Sequence, residues 1–156
     1  MKNKLIPLFL LLFPAFSALF AEESANVKLT EAEWKEKLTP EQYKVLRKEG
    51  TERAFSSELN DEKRKGTFVC AGCGEALFAS ATKYKSGTGW PSFYQPIRPE
   101  AVGTKSDRSF LSVRTEVHCA NCEGHLGHVF DDGPEPTGLR YCMNGVAMKF
   151  VPAEKE

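Results

Sequence analysis

Residues 111–122 read Leu-Ser-Val-Arg-Thr-Glu-Val-His-Cys-Ala-Asn-Cys. Leu111, Val113, Thr115 and Val117 alternate with Ser112, Arg114, Glu116 and His118, the period-two pattern of a half-buried strand, and the run ends in a pair of cysteines two residues apart. Working outward, Thr67–Val69 and Ala76–Phe78 flank an earlier pair, Cys70-Ala-Gly-Cys73. Ala101–Thr104, Val129–Phe130, Leu139–Met143 and Ala147–Val151 add short β segments between glycine and proline turns. The chain therefore reads as mainly β and antiparallel. Two short helices precede it. Thr30 with Glu33 and Thr39 with Gln42 form capping boxes, Pro40 falls at the favoured first helical position, and Gly50 is placed to close the second helix. Trp34, Leu38, Tyr43 and Leu46 lie at helical spacing and should dock these helices on the body. No chemistry is assigned to them, and residues 51–66, with Asn60–Lys65 all polar, read as a long loop.

A chain of 156 residues accommodates one domain with a real core. Its first segment differs in kind: Lys2 and Lys4 precede an uncharged run from Leu5 to Ala21 that is interrupted by Pro7 and Pro14. This is a signal-peptide pattern, better matched than a membrane anchor, which would want about 20 apolar residues free of helix breakers. The expected organisation is a signal peptide at 1–21, a linker at 22–29 and one domain at 30–156, exported to a compartment such as the bacterial periplasm, with N-terminal membrane anchoring as the alternative. Removal of residues 1–21 takes away two lysines and no acid, so 21 basic residues become 19 against 21 acidic ones, a formal charge of −2. Such a surface offers no footprint for nucleic acid, and the chain is expected to act as a monomer.

Cys70, Cys73, Cys119 and Cys122 carry two thiols on each of two tight turns, the ligand set of a tetrahedral zinc site. The intervening stretch exceeds that of a short zinc ribbon, so the fold must bring the two turns together. Two disulfides, which export would permit, or a redox-active pair are the competing readings. Zinc on four thiolates contributes on the order of 10–16 kcal/mol to folding, against about 2–4 for one disulfide. One structural zinc per chain is expected.

Cys142 is then the one thiol left over. It lies in Gly124–Asn144, GHLGHVFDDGPEPTGLRYCMN, which also holds His125, His128, Asp131, Asp132 and Arg140. Alternate residues of an extended chain share a face, placing Arg140, Cys142 and Asn144 side by side, and an arginine beside a thiol favours the thiolate. Trp90, in the glycine-rich turn SGTGWPSF, would present a flat apolar wall suited to a thioether. Phe93 and Tyr94 read as packing residues and His118 as a strand residue.

Together, CAGC, SGTGWPSF, the second CxxC, GHLGHVFDDGP and GLRYCMN, in this order and spacing, resemble the B-type methionine sulfoxide reductases over about Leu38 to Pro152. The resemblance implies reduction of methionine-R-sulfoxide, free or in proteins, on a fold of two antiparallel sheets bound by zinc on the four paired cysteines. It implies Cys142 as nucleophile, with His125, His128, Asp132, Arg140, Asn144 and Trp90 around it. Sulfoxide chemistry agrees: a thiolate attacks sulfur while the oxygen takes a proton, here from His125 or His128. Lowering a thiol from about 8.5 to about 7 yields a net gain of only about threefold, whereas a positioned acid is worth about 10²–10⁴. Two positions depart from the family pattern. Thr88 stands where many members carry a resolving cysteine, so an outside thiol, either a small one or that of a thioredoxin-like or glutaredoxin-like protein, must reduce the sulfenic acid. Gly145 stands where serine is common. The alternatives are a zinc-stabilised protein-interaction module, which would not need Cys142, and a thiol-disulfide oxidoreductase working through one CxxC.

Overall fold

The computed structural model describes residues 26–109 and 112–154; the expected signal segment, 1–21, lies outside them. Helices α1 (Glu31–Lys37) and α2 (Pro40–Lys48) are closed at their N-termini by the two capping boxes, Thr30 with Glu33 and Thr39 with Gln42. The end of α2 differs from expectation. Glu49, not Gly50, takes the left-handed conformation, at φ 54°, while the Gly50 N–H bonds the Lys44 carbonyl at 3.0 Å. A side chain on Gly50 would meet that carbonyl, so the glycine serves close approach rather than an unusual φ.

The body is antiparallel β, as the strand pattern predicts, and forms two sheets, as the family resemblance implies. Strands β1 (Gly66–Cys70), β2 (Ala76–Ala79) and β9 (Met148–Pro152) form a three-stranded sheet in the order β2-β1-β9. The other sheet runs β3-β4-β8-β7-β6-β5, from β3 (Lys83–Tyr84), β4 (Ser92–Phe93), β5 (Val102–Ser109), β6 (Ser112–Cys119), β7 (His125–Phe130) and β8 (Arg140–Met143). Strand β5 extends well past the Ala101–Thr104 segment read from the sequence, because an edge strand tolerates the charged Lys105, Asp107 and Arg108.

An aromatic seam joins the sheets. Phe93 of β4 stacks on Phe78 of β2, centroids 4.4 Å apart, and meets Phe68 of β1 edge-on at 4.9 Å. All three are fully buried. Trp34, Leu38 and Leu46 are buried and Tyr43 partly so, as the helical spacing predicts. Trp34 and Leu46 cover Gly72, and Leu46 covers Gly124, so the helices pack onto the two cysteine turns. There a Cβ at Gly124 would come within 2.9 Å of Leu46.

The pairing decides which residues share the site. Cross-strand partners project from the same face of a sheet. The registers Asp107↔Arg114, Lys105↔Glu116, Glu116↔His128, His128↔Cys142, Phe130↔Arg140 and Ser92↔Cys142 therefore gather one polar row on a single face of the six-stranded sheet. Their chain neighbours Val117, Met143 and Phe93 turn the other way and are buried.

Candidate active site

Each cysteine pair begins at a strand end. Cys70 closes β1 and Cys119 closes β6, and matched bonds fold the turns after them: Gly74 N–H to Cys70 carbonyl at 2.9 Å, Glu123 N–H to Cys119 carbonyl at 2.8 Å. Gly74 and Glu123 take the same left-handed conformation at φ 83° and 58°. The turns meet so that Cys70 and Cys122 sulfurs lie 3.7 Å apart and those of Cys73 and Cys119 3.5 Å apart, with all four within 4.8 Å of one another. These separations far exceed the S–S bond of about 2.05 Å and approach the edge of about 3.8 Å that a tetrahedron with metal–sulfur bonds of about 2.3 Å requires. The cluster can hold a metal ion. Crowded thiols cannot all ionise together: Cys122, then Cys70 and Cys73, push the Cys119 thiol up, while Cys119 chiefly pulls Cys73 down. A cation at the centre would let all four be thiolates.

Cys142 is half-buried on β8, away from that cluster. It lines a cavity of about 110 Å³ with Trp90, Arg114, Gly127, His128, Phe130, Asn144 and Thr51. Gly127 is required by close packing, since a Cβ there would lie 2.1 Å from the Cys142 carbonyl oxygen. His128 sits directly across from Cys142. Its Nε2 is 2.8 Å from Asp107 Oδ2, and Arg114 reaches the same oxygen at 2.7 Å. Burial lowers the His128 pKa and Asp107 opposes that shift, with the positive charges of Arg114 and His125 adding to the lowering. In return His128, then Arg114, holds Asp107 below the usual carboxylate range.

The two histidines share a face because of a bulge. In a regular strand, residues three apart point to opposite faces, but the β6–β7 pairing steps from Val117↔Gly127 to His118↔His125 and skips Leu126, which restores the parity. The rings meet edge-on, 5.4 Å between centroids. They are not equivalent. His125 is buried beside the equally buried Glu116, its Nδ1 3.1 Å from Glu116 Oε1 without hydrogen-bond alignment, and lines a neighbouring polar cleft with Lys105 and Glu49 instead of the Cys142 cavity.

Arg140 projects from the same face as Cys142 but forms two 2.8 Å bonds to Asp132 and lies 4.2 Å over the Phe130 ring. Asp132 is first among the causes that raise the Arg140 pKa, and the Cys142 charge adds to it. Asn144 is buried and committed twice, its Nδ2 donating to the Leu126 carbonyl and its Oδ1 accepting the Glu52 N–H, both at 3.0 Å. The Trp90 indole N–H donates to the Glu52 carbonyl at 3.2 Å. Thr88 Oγ1 lies 3.7 Å from Cys142 Sγ and is joined through Ser86 to Ser92 by hydroxyl contacts of 2.8 and 2.7 Å.

Sequence reasoning missed Asp107, Arg114, Glu52 and Thr51. Arg114 lies in the alternating run read from the sequence, the one available signal for it, whereas Asp107 lies beyond the Ala101–Thr104 segment and is placed only by the β5–β6 register. Glu52 and Thr51 carried none.

A half-buried thiol opposite a carboxylate-held histidine, beside a tryptophan and apart from a four-cysteine cluster able to hold a metal, is the arrangement of a thiol-based redox enzyme. Residues 38–152 match the SelR domain family. The chain is 56% identical over 125 residues to the peptide methionine sulfoxide reductase MsrB of Leptospira interrogans, covering 80% of this chain and 95% of that protein. It is 54% identical over 129 residues to the MsrB of Agrobacterium fabrum, 83% and 96% of the two chains, and 55% identical over 129 residues to that of Methanosarcina barkeri, 83% and 91%. The protein belongs to the B-type methionine sulfoxide reductase family.

Proposed function

We propose that this protein reduces methionine-R-sulfoxide to methionine by moving the sulfoxide oxygen onto Cys142. The observation that carries this reading is the shared cavity, with Cys142 and His128 at opposed register positions and Trp90 beside them. The Cys142 thiolate attacks the substrate sulfur while protonated His128, oriented by Asp107, delivers its proton to the oxygen. Attack forms a bond between the two sulfurs; the protonated oxygen then passes to the Cys142 sulfur as hydroxyl, the substrate S–O bond and the new S–S bond break, and the thioether leaves with Cys142 as a sulfenic acid, so that the cysteine sulfur is oxidised by two electrons and the substrate sulfur reduced by two. An outside thiol condenses with the sulfenic acid, releasing water and leaving a mixed disulfide, and a second thiol restores Cys142. Thr88 offers no sulfur for an internal disulfide, so the donor is a small thiol or a thioredoxin-like or glutaredoxin-like protein.

Trp90 packs the S-methyl group. His125 supports the His128 ring, Asp132 holds Arg140 against Phe130, and Asn144 fixes the end of β8. The two arginines at the cavity are each held by a carboxylate, Arg114 by Asp107 and Arg140 by Asp132, rather than set out to receive the carboxylate of a free amino acid. Methionine sulfoxide within a polypeptide is the substrate this favours. Cys70, Cys73, Cys119 and Cys122 would hold a structural zinc, whose chemistry is to neutralise the four thiolates. The protein would be exported after removal of residues 1–21 and act as a monomer.

The test is to supply a racemic methionine sulfoxide peptide with dithiothreitol and follow each epimer. Loss of the R epimer alone is expected, abolished in Cys142→Ser with fold and metal content retained. Parent-level turnover by Cys142→Ser would refute the proposal.

A further inference from the structure

The loop that precedes β1 touches both walls of the Cys142 cavity, and it does so largely through one residue. The Glu52 carboxylate accepts the Gly145 N–H at 2.7 Å and the Val146 N–H at 2.8 Å, which opens the 3₁₀ turn immediately after β8. Its own N–H donates to Asn144 Oδ1 at 3.0 Å, and its carbonyl accepts the Trp90 indole N–H at 3.2 Å. Nearby, the Phe55 N–H and the Asn60 side-chain amide both donate to the Gly89 carbonyl, at 2.7 and 2.8 Å, which ties the loop to the turn carrying Trp90. Trp90 and Cys142 come from segments far apart in sequence. Glu52 bonds to one directly and to the strand end of the other, two residues beyond Cys142.

From this geometry we infer that Glu52 is a positioning residue that sets the spacing between the Trp90 wall and the Cys142 strand. The inference rests on the reductase reading of the site for its kinetic consequence. Glu52 does not line the cavity; it acts through Trp90 and the β8 turn. Two successive backbone N–H groups held by one carboxylate form a charge-assisted pair that fixes the side chain, and with it the backbone carbonyl that receives the indole. Alanine at this position frees the loop, so Trp90 loses its fixed acceptor and the substrate sulfur loses its wall. Glutamine keeps one acceptor oxygen and should retain part of the effect.

Glu52→Ala, Glu52→Gln, Trp90→Phe and the Glu52→Ala/Trp90→Phe double variant test this on the zinc-loaded, full-length mature protein. In Glu52→Ala the Trp90 indole ¹H–¹⁵N signal should shift and exchange faster while that of Trp34, buried in the helix pair, stays in place. With a methionine sulfoxide peptide, kcat/KM should fall about tenfold, mainly through KM, against about threefold for Glu52→Gln. The double variant should fall scarcely below Trp90→Phe alone, because residues acting through one another are not additive. An unmoved Trp90 signal, or full multiplication of the two kinetic losses, overturns the inference. Should Glu52→Ala lose zinc or melt at the assay temperature, Glu52→Gln decides the matter, and a parent-like KM with an unmoved indole signal overturns it equally. A parent protein without reductase activity would refute the proposed function, while the indole signal would still report on the Glu52 linkage.

Discussion

Thr88→Cys should convert a one-thiol site into one that closes its own disulfide. Thr88 Oγ1, the atom a cysteine sulfur would replace, lies 3.7 Å from Cys142 Sγ, whereas a bond needs about 2.05 Å. The missing distance of under 2 Å must come from a side-chain rotation and a small movement of the turn. Gly87 and Gly89 flank position 88 at φ 79° and 96°, which gives that turn conformations closed to other residues. The two positions are 54 residues apart in the chain, and closing a loop of this size removes unfolded-state entropy worth about 4 kcal/mol at 25 °C. For a domain of this size the oxidised variant should melt on the order of 10 °C above its reduced form. After one equivalent of methionine sulfoxide, intact mass should fall by two hydrogens in the variant and gain one oxygen in the parent, where dimedone traps the sulfenic acid. Peroxide should then inactivate the variant more slowly, since sulfenic acid left alone oxidises on to sulfinic acid. A variant that keeps a dimedone-reactive Cys142 and forms no bridge would refute the placement of the turn against Cys142.

Removal of the metal by a chelator should unfold the domain, and serine at any of Cys70, Cys73, Cys119 or Cys122 should do likewise; a folded, active, metal-free protein by circular dichroism and metal analysis would overturn the zinc assignment. Asp107→Asn takes away the carboxylate that raises the His128 pKa against its burial. Activity that needs protonated His128 is lost as pH rises through that pKa, so the alkaline fall of kcat/KM should move to lower pH, and a limb that stays or moves upward would remove His128 from the acid role. Gly145→Ser should cost about 1–3 kcal/mol, because a Cβ there would lie 1.9 Å from Ser57 Oγ; Ser57→Gly in the same chain should restore most of the melting temperature, and simple additivity would refute the steric coupling.

Much of this architecture was legible because it rests on short-range chemistry. Capping boxes, strand alternation and paired cysteines each act within a few residues, and each appears where its pattern stands. The sequence reading stops where pairing partners are distant. Strands β3 and β4 are two residues each and carry no periodicity; only their alignment with β8 makes them strands and puts Ser92 opposite Cys142. The placement of Arg140 and Cys142 on one face follows from alternation, but the fork of Asp132 that occupies Arg140 is a contact between side chains. The histidine pair is the instructive case. Three-residue spacing in a strand argues against a shared face, and it takes the bulge at Leu126, a feature of how β7 meets β6, to align them.

Gly145 shows how a departure from a family pattern can be read once partners are visible. A serine at this position would put its side chain into space that Ser57 already fills, where the Ser57 hydroxyl also accepts the Leu59 N–H at 3.2 Å. The glycine is therefore the small half of a packed pair, and the loop at 51–60 supplies the other half. The same loop supplies Glu52 to the Gly145 and Val146 amides, so the turn after Cys142 is held by side chains from outside its own segment. Any rigidity lost by placing glycine there is offset by two carboxylate bonds and a filled contact. What looked in sequence like an unassigned polar loop followed by a weakened motif is, in the fold, one support with its two parts some 90 residues apart in the chain.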